Sequence, residues 1–245
     1  KLFFTRKEKE YANQKQSDPF LLALADGGFQ VEELARLHYP GGILIEDKKS
    51  DTTYDYDLKV AETAALLERD EVVIFEAAFQ FENLFIRVDI LKKKGNTIEL
   101  IEVKAKSYDP REKYTFTTKN GKLVSSWKPY LFDLAFQTYV IQKSYPDCKI
   151  TPYLYLVDKS KSATIDGLNQ MFRVKKETGK RTGVEVLANA DSDLGENLMC
   201  LINHTETVQK IISNQSKYYD NLGFQEAVNL LRSIRLENKY PNWPT

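Results

Sequence analysis

The chain has few of the residues that build covalent or soft-metal frameworks. Its two cysteines, Cys148 and Cys200, lie far apart and have no CxxC partner. That argues against a disulfide framework and against a zinc or iron–sulfur site made within this chain, and it makes a reducing cytoplasm the expected compartment. No apolar run is long enough to span a bilayer, and none has signal-peptide flanks. One sign of charge does not dominate: 35 Lys and Arg cancel 35 Asp and Glu. The whole-protein field therefore does not advertise a polyanionic partner, and any nucleic-acid surface must be a local patch. There is no repeat of solenoid length and no low-complexity linker. The chain opens on Lys1 rather than Met, so its native start is expected upstream.

What is present is an ordinary globular mixture, 42% hydrophobic and 29% charged over 245 residues. That length can bury one substantial core, so residues 1–245 read as a single domain. Val31, Leu34, Ala35 and Leu37 mark a short amphipathic helix within 26–38, stopped by Pro40-Gly41-Gly42. An Ala-, Leu- and Glu-rich helix is expected over 58–69. Three β-branched and aromatic runs follow, at 72–79, 84–91 and 98–104, separated by short polar turns, and antiparallel meander pairing is the economical arrangement. Asn120-Gly121 suggests a small hairpin between 113–118 and 122–125. A helix over 129–143, a strand over 151–157 and helices over 193–214 and 225–235 complete the pattern. The expected fold is α/β (α+β), a central mixed β-sheet flanked by helices, with a core over about 26–158 and a C-terminal helical elaboration.

The chemistry concentrates in Arg87-Val-Asp-Ile-Leu91 and Ile98-Glu-Leu-Ile-Glu-Val-Lys-Ala-Lys106. Strand alternation puts Glu102 and Lys104 on one face, and the turn at 92–96 folds Asp89 back beside them. Strands tend to exclude Asp, yet Asp89 stands among Val88, Ile90 and Leu91. Two carboxylates suit Mg²⁺ or Mn²⁺, which prefer hard oxygen ligands, and an adjacent ammonium can stabilise charge on a phosphate undergoing hydrolysis. The competing reading is a solvated surface strand that happens to spell Glu-x-Lys.

The order Asp89, Glu102-Val-Lys104, then Phe132-Asp-Leu-Ala-Phe-Gln-Thr-Tyr-Val140 resembles the RecB-like branch of the PD-(D/E)XK nucleases, over roughly 26–158. That branch includes the exonuclease of CRISPR adaptation and a set of uncharacterised bacterial proteins. Gly28-Phe-Gln-Val-Glu-Glu-Leu-Ala35, Tyr39-Pro-Gly-Gly42 and Phe75-Glu-Ala-Ala-Phe79 are similar to segments of that set. The resemblance implies a restriction-endonuclease-like core and a metal-dependent deoxyribonuclease. Asp89, Glu102, Lys104 and Gln137 would be catalytic, with Gln137 presented from the helix after the Glu-x-Lys strand. Asp89, Glu102 and an upstream helix residue would hold Mg²⁺ or Mn²⁺. Glu33 is the choice for that residue, with Glu32 and His38 as rivals. The chain departs from the pattern at Ile141, where a tyrosine often stands, and in lacking four cluster cysteines. Glu76 faces the site as support or belongs to an edge strand. Of the basic runs, the one from Lys104 to Lys113 is nearest the site, so Lys106, Arg111 and Lys113 are the candidate phosphate contacts, with Tyr108, Tyr114 and Trp127 able to stack on bases. The expected partner is nucleic acid, DNA before RNA, and no membrane. The alternative is a dormant nuclease-fold module that binds nucleic acid or a protein.

Overall fold

A computed structural model describes residues 19–46, 55–175, 183–188, 192–215 and 222–237. In chain order the elements are α1 (Pro19–Leu37), β1 (Ile43–Leu44), α2 (Tyr56–Leu67), β2 (Glu71–Phe81), β3 (Leu84–Lys94), β4 (Thr97–Tyr108), α3 (Lys128–Ser144), β5 (Lys149–Asp158), a 3₁₀ turn (Leu168–Met171), β6 (Phe172–Lys175), β7 (Gly183–Val186), β8 (Met199–Asn203), α4 (Thr205–Ile212) and α5 (Phe224–Glu237). The fold is α+β. A six-stranded mixed sheet has the order β1-β2-β3-β4-β5-β8, and β6 and β7 form a separate two-stranded sheet.

The tight antiparallel meander β2-β3-β4 follows from its turns. Glu82 (φ 52°) and Gly95 (φ 53°) take the left-handed conformation that reverses the chain in two residues. The crossover through α3 then makes β5 parallel to β4. Pro129 sits in the first turn of α3, where its missing N–H costs nothing. Asp55 caps α2 by accepting from the Leu58 N–H at 3.0 Å. Gly42 is required by contact: a Cβ there would lie 2.2 Å from the Phe75 ring.

Each face of the sheet carries its own apolar cluster. Leu67, Leu131, Leu134, Val140, Ile141, Val208 and Phe224 pack on one side against Ile74, Ile98, Leu100 and Leu154. On the other side Ala35, with Val31 and Leu34 of α1, packs on Phe75, Ile90, Ile101, Val103 and Tyr155. Gln30 ties α1 to the small sheet through the Phe172 carbonyl at 2.6 Å.

The structure differs from sequence expectation in four places. The helix expected over 193–214 is instead β8 followed by the eight-residue α4. Met199 to Asn203 has no strong local preference, and it pairs with the open edge of β5; the Asn203 side chain then accepts from the Thr205 N–H at 2.8 Å and starts α4. The hairpin at Asn120-Gly121 shrinks to a single Thr117–Leu123 bridge. α1 begins at Pro19 and passes through Gly27-Gly28 rather than starting at 26. The β6–β7 sheet is an addition to the expected pattern: its strands alternate, Phe172-Arg-Val-Lys175 and Val184-Glu-Val186, but are only four residues long. Among the described residues no helix is long and apolar enough to cross a membrane.

Candidate metal centre at a fork in the sheet

β3 and β4 pair from Lys94–Thr97 to Ile90–Ile101, and there the ladder stops. The next residue along β3 is Asp89, and the next along β4 is Glu102. Instead of continuing main-chain pairing, the Asp89 carboxylate accepts the Val103 N–H at 2.7 Å. A side chain thus takes over a ladder acceptor, and the two strands part into a fork.

The same rung is irregular on the other flank. β2 pairs with β3 on either side of it, Phe75 with Ile90 and Ala77 with Val88, but Glu76 opposite Asp89 makes no ladder pair. Glu76 has φ 57°, a conformation that costs a non-glycine residue about 1–3 kcal/mol and persists only where its surroundings hold it. Both strands change phase here. Val72 and Ile74, then Ala77 and Phe79, face one apolar cluster; on β3, Ile86 and Val88, then Leu91, do the same. The slip turns Glu76 and Asp89 together at one position.

Three groups of side chains converge on the fork. From α1, Glu32 joins Glu76 and Asp89, with one carboxylate oxygen of each within 4.8 Å of the others. From β4, Glu102 is buried and paired with Lys104, as the alternation predicts. From α3, Gln137 Nε2 donates to Glu102 Oε2 at 2.8 Å. The buried Gln137 Oε1 has no hydrogen-bond partner among the described residues. Lys104 has a second anion, Asp133, at 3.6 Å on the same face of α3.

Two arginines lie among the carboxylates. Arg36 Nη2 contacts Glu32 Oε1 at 2.5 Å and Glu76 Oε1 at 2.7 Å, while its Nη1 contacts Glu33 Oε1 at 2.9 Å. Arg87 Nε lies 2.9 Å from Glu76 Oε2. The carboxylates still outnumber the cations, and burial together with this crowding shifts the acids of the site upward. Burial, and then the charges of Glu102 and Glu32, hold the Asp89 carboxyl well above the usual range. Glu32 is pushed up to about 7, first by burial and then by a hydrogen bond shared with Glu76, against the pull of Arg36. Burial also raises Glu102, with Lys104 opposing. The Lys104 ammonium is held above its ordinary value because Glu102 and Asp89 outweigh its burial.

Asp89, Glu102, Lys104 and Gln137 are therefore brought to one place. Glu33 stands one residue off, on Arg36, and it is Glu32 that reaches Asp89 and Glu76. His38, the other rival, packs against the Tyr155 ring, and burial lowers its pKa. Lys106, Arg111 and Lys113 lie at the end of β4 and in the loop beyond. Lys106 donates to the Ser126 carbonyl at 2.7 Å and sits 4.0 Å over the Trp127 ring. Arg111 folds onto Asp109 with two contacts of 2.8 Å, and Lys113 lies 5.6 Å from the Tyr114 ring centroid. Trp127 is buried and Tyr108 stacks on Phe116, while Tyr114 is exposed. Sequence reasoning missed Arg36, Arg87 and Asp133. Arg36 follows Glu32 and Glu33 at helical spacing and Asp133 precedes Gln137 by four, so periodicity carried the signal for both.

Compared with known proteins, the chain matches no family model, no curated protein and no solved structure.

Proposed function

We propose that the protein is a metal-dependent nuclease of the RecB-like PD-(D/E)XK type, hydrolysing phosphodiester bonds of nucleic acid, DNA in the first place. The observation that supports this reading best is the fork, where Asp89 leaves the ladder beside a buried Glu102–Lys104 pair that Gln137 braces from α3. A strand pair in a purely structural sheet has no reason to open around a carboxylate in this way.

The donor set fits Mg²⁺ or Mn²⁺: the ligands offered are carboxylate oxygens, and the buried Gln137 Oε1 is a further oxygen without a partner among the described residues. Asp89 and Glu102 would hold the ion, and of the upstream acids it is Glu32, not Glu33, that lies beside Asp89. When bound, such an ion lowers the pKa of its water and offsets charge on the phosphate. Lys104 keeps its proton throughout the physiological range and presents a fixed positive charge where negative charge builds in the transition state. Gln137 fixes the Glu102 rotamer, so the carboxylate is set before substrate arrives. The two free thiols, Cys148 and Cys200, suit a reducing compartment such as the cytoplasm.

Arg36 and Arg87 support a second reading, a dormant module whose acids are neutralised by its own arginines. A gel assay separates the two, using labelled single- and double-stranded DNA and RNA in EDTA, Mg²⁺, Mn²⁺ and Ca²⁺. The nuclease reading expects cleavage in Mg²⁺ or Mn²⁺ that is lost in EDTA and in Glu102→Ala. Cleavage that survives Glu102→Ala would assign the activity to another site. No cleavage of any substrate, with Mn²⁺ bound, would favour the dormant module.

A further inference from the structure

We infer that Arg36 is a built-in counter-cation which reserves the α1 side of the site, so that the protein holds one divalent ion rather than two. The inference rests on the nuclease reading and concerns the carboxylates there that pair with arginine.

Arg36 belongs to the last turn of α1, and its side chain is 13% exposed. The guanidinium is seated from several directions. One terminal nitrogen touches both Glu32 and Glu76, the other touches Glu33, and the plane lies 5.8 Å from the Phe75 ring centroid. Glu76 is closed at its other oxygen by Arg87. Of the three carboxylates that approach one another to within 4.8 Å, Glu76 is thus matched at both oxygens by arginine. Glu32 shares its Oε1 with the same guanidinium, whereas Asp89 has no arginine upon it among the described residues.

A divalent ion bound among Glu32, Glu76 and Asp89 would have to displace Arg36 from two partners at once. The displaced group would then be a buried guanidinium with only Glu33 left, which is a costly arrangement. On the Asp89–Glu102 side no arginine intervenes among the described residues; the cation there is Lys104, an ammonium with an exposed second partner in Asp133. One ion at Asp89–Glu102 and one guanidinium at Glu32–Glu76 therefore divide the site. Arg36 acts through the carboxylates it neutralises and holds Glu32 toward Asp89, so it is a positioning residue.

The test is Mn²⁺ stoichiometry on the whole chain, read by calorimetry and by electron paramagnetic resonance, in wild type, Arg36→Gln and Arg36→Lys, with circular dichroism to confirm folding. Wild type and Arg36→Lys should bind one Mn²⁺. Arg36→Gln, similar in size but neutral, should bind a second ion, with the spectral broadening of a coupled pair. Two ions in wild type would overturn the inference whatever the variants do, and so would a folded Arg36→Gln that still binds one ion at unchanged affinity. Should Arg36→Gln fail to fold, the wild-type and Arg36→Lys counts decide. No Mn²⁺ in wild type would remove the nuclease reading itself, and this inference with it.

Discussion

Asp89 accepts the Val103 N–H at 2.7 Å, so the residue that opens the sheet also closes the hydrogen-bond account of the strand beside it. This double duty separates two substitutions. Asp89→Ala leaves a buried N–H without an acceptor, which should destabilise the metal-free protein by about 1–3 kcal/mol. Asp89→Asn keeps an acceptor oxygen and removes a charge that burial disfavours, so its metal-free stability should stay within about 1 kcal/mol of wild type or exceed it. Asn is a poorer hard-cation ligand, and Mn²⁺ binding should fall in both. Urea denaturation in EDTA and Mn²⁺ titration read the two effects apart. Equal stability of the Ala and Asn variants would mean that the side-chain acceptor contributes nothing to the fork.

Lys104 and Asp133 differ in what they do for the same charge. Lys104→Ala removes a donor that matters most in the transition state, and the cleavage rate should fall on the order of 10²–10³-fold while Mn²⁺ still binds. Asp133 is 47% exposed on its side chain, so Asp133→Asn should change the rate by less than about tenfold, as expected of a solvent-screened pair. A larger loss in Asp133→Asn than in Lys104→Ala would show that the aspartate, not the lysine, touches the reacting phosphate.

Gln137 lies on the buried side of α3, among Leu134, Ala135, Thr138, Val140 and Ile141. Gln137→Ala should leave the helix and fold intact but free the Glu102 carboxylate to turn, lowering turnover and weakening Mn²⁺ binding. Gln137→Glu places a carboxylate against Glu102 and should lower metal-free stability further. Unchanged turnover in Gln137→Ala would return this residue to a packing role.

The parts of this architecture legible in the sequence are those that local rules determine. β3 and β4 are joined by a tight turn and Glu102 and Lys104 alternate on one strand, so the mutual placement of Asp89, Glu102 and Lys104 follows from strand geometry, whereas Gln137 is reached through the resemblance of its helix to the RecB-like pattern. The parts that were not legible depend on partners distant in the chain. Choosing between Glu32 and Glu33 requires the rotation of α1 about its axis, and that rotation is set by Ala35, Val31 and Leu34 packing on Phe75 and Ile101. The phase slip at Glu76 cannot be read from Phe75-Glu-Ala-Ala-Phe79, because two alanines fit either face. β8 exists because β5 offers an edge, which no property of Met199 to Asn203 announces.

Glu32 gives the site a pH signature whose sign can be worked out. Its carboxyl is pushed from an ordinary 4.5 to about 7, so between those values the folded protein holds a proton that the unfolded chain has released. A group raised in this way contributes stability fully below the unfolded pKa and loses it as pH rises through the folded one. Metal-free wild type should therefore lose on the order of 2–3 kcal/mol relative to Glu32→Gln between about pH 5 and pH 8. His204, buried against Phe116 and held down to about 4, has the opposite sign, since its contribution is present above its ordinary 6.5 and lost as pH falls towards 4. It is common to both proteins and cancels in the comparison. A divalent ion substitutes for the lost proton, so Mn²⁺ should stabilise wild type more at the alkaline end than at the acid end, in proportion to the ion bound. Denaturant midpoints across the range, with EDTA and with Mn²⁺, make the measurement. Parallel pH curves for wild type and Glu32→Gln would show that Glu32 does not store the excess charge of the site.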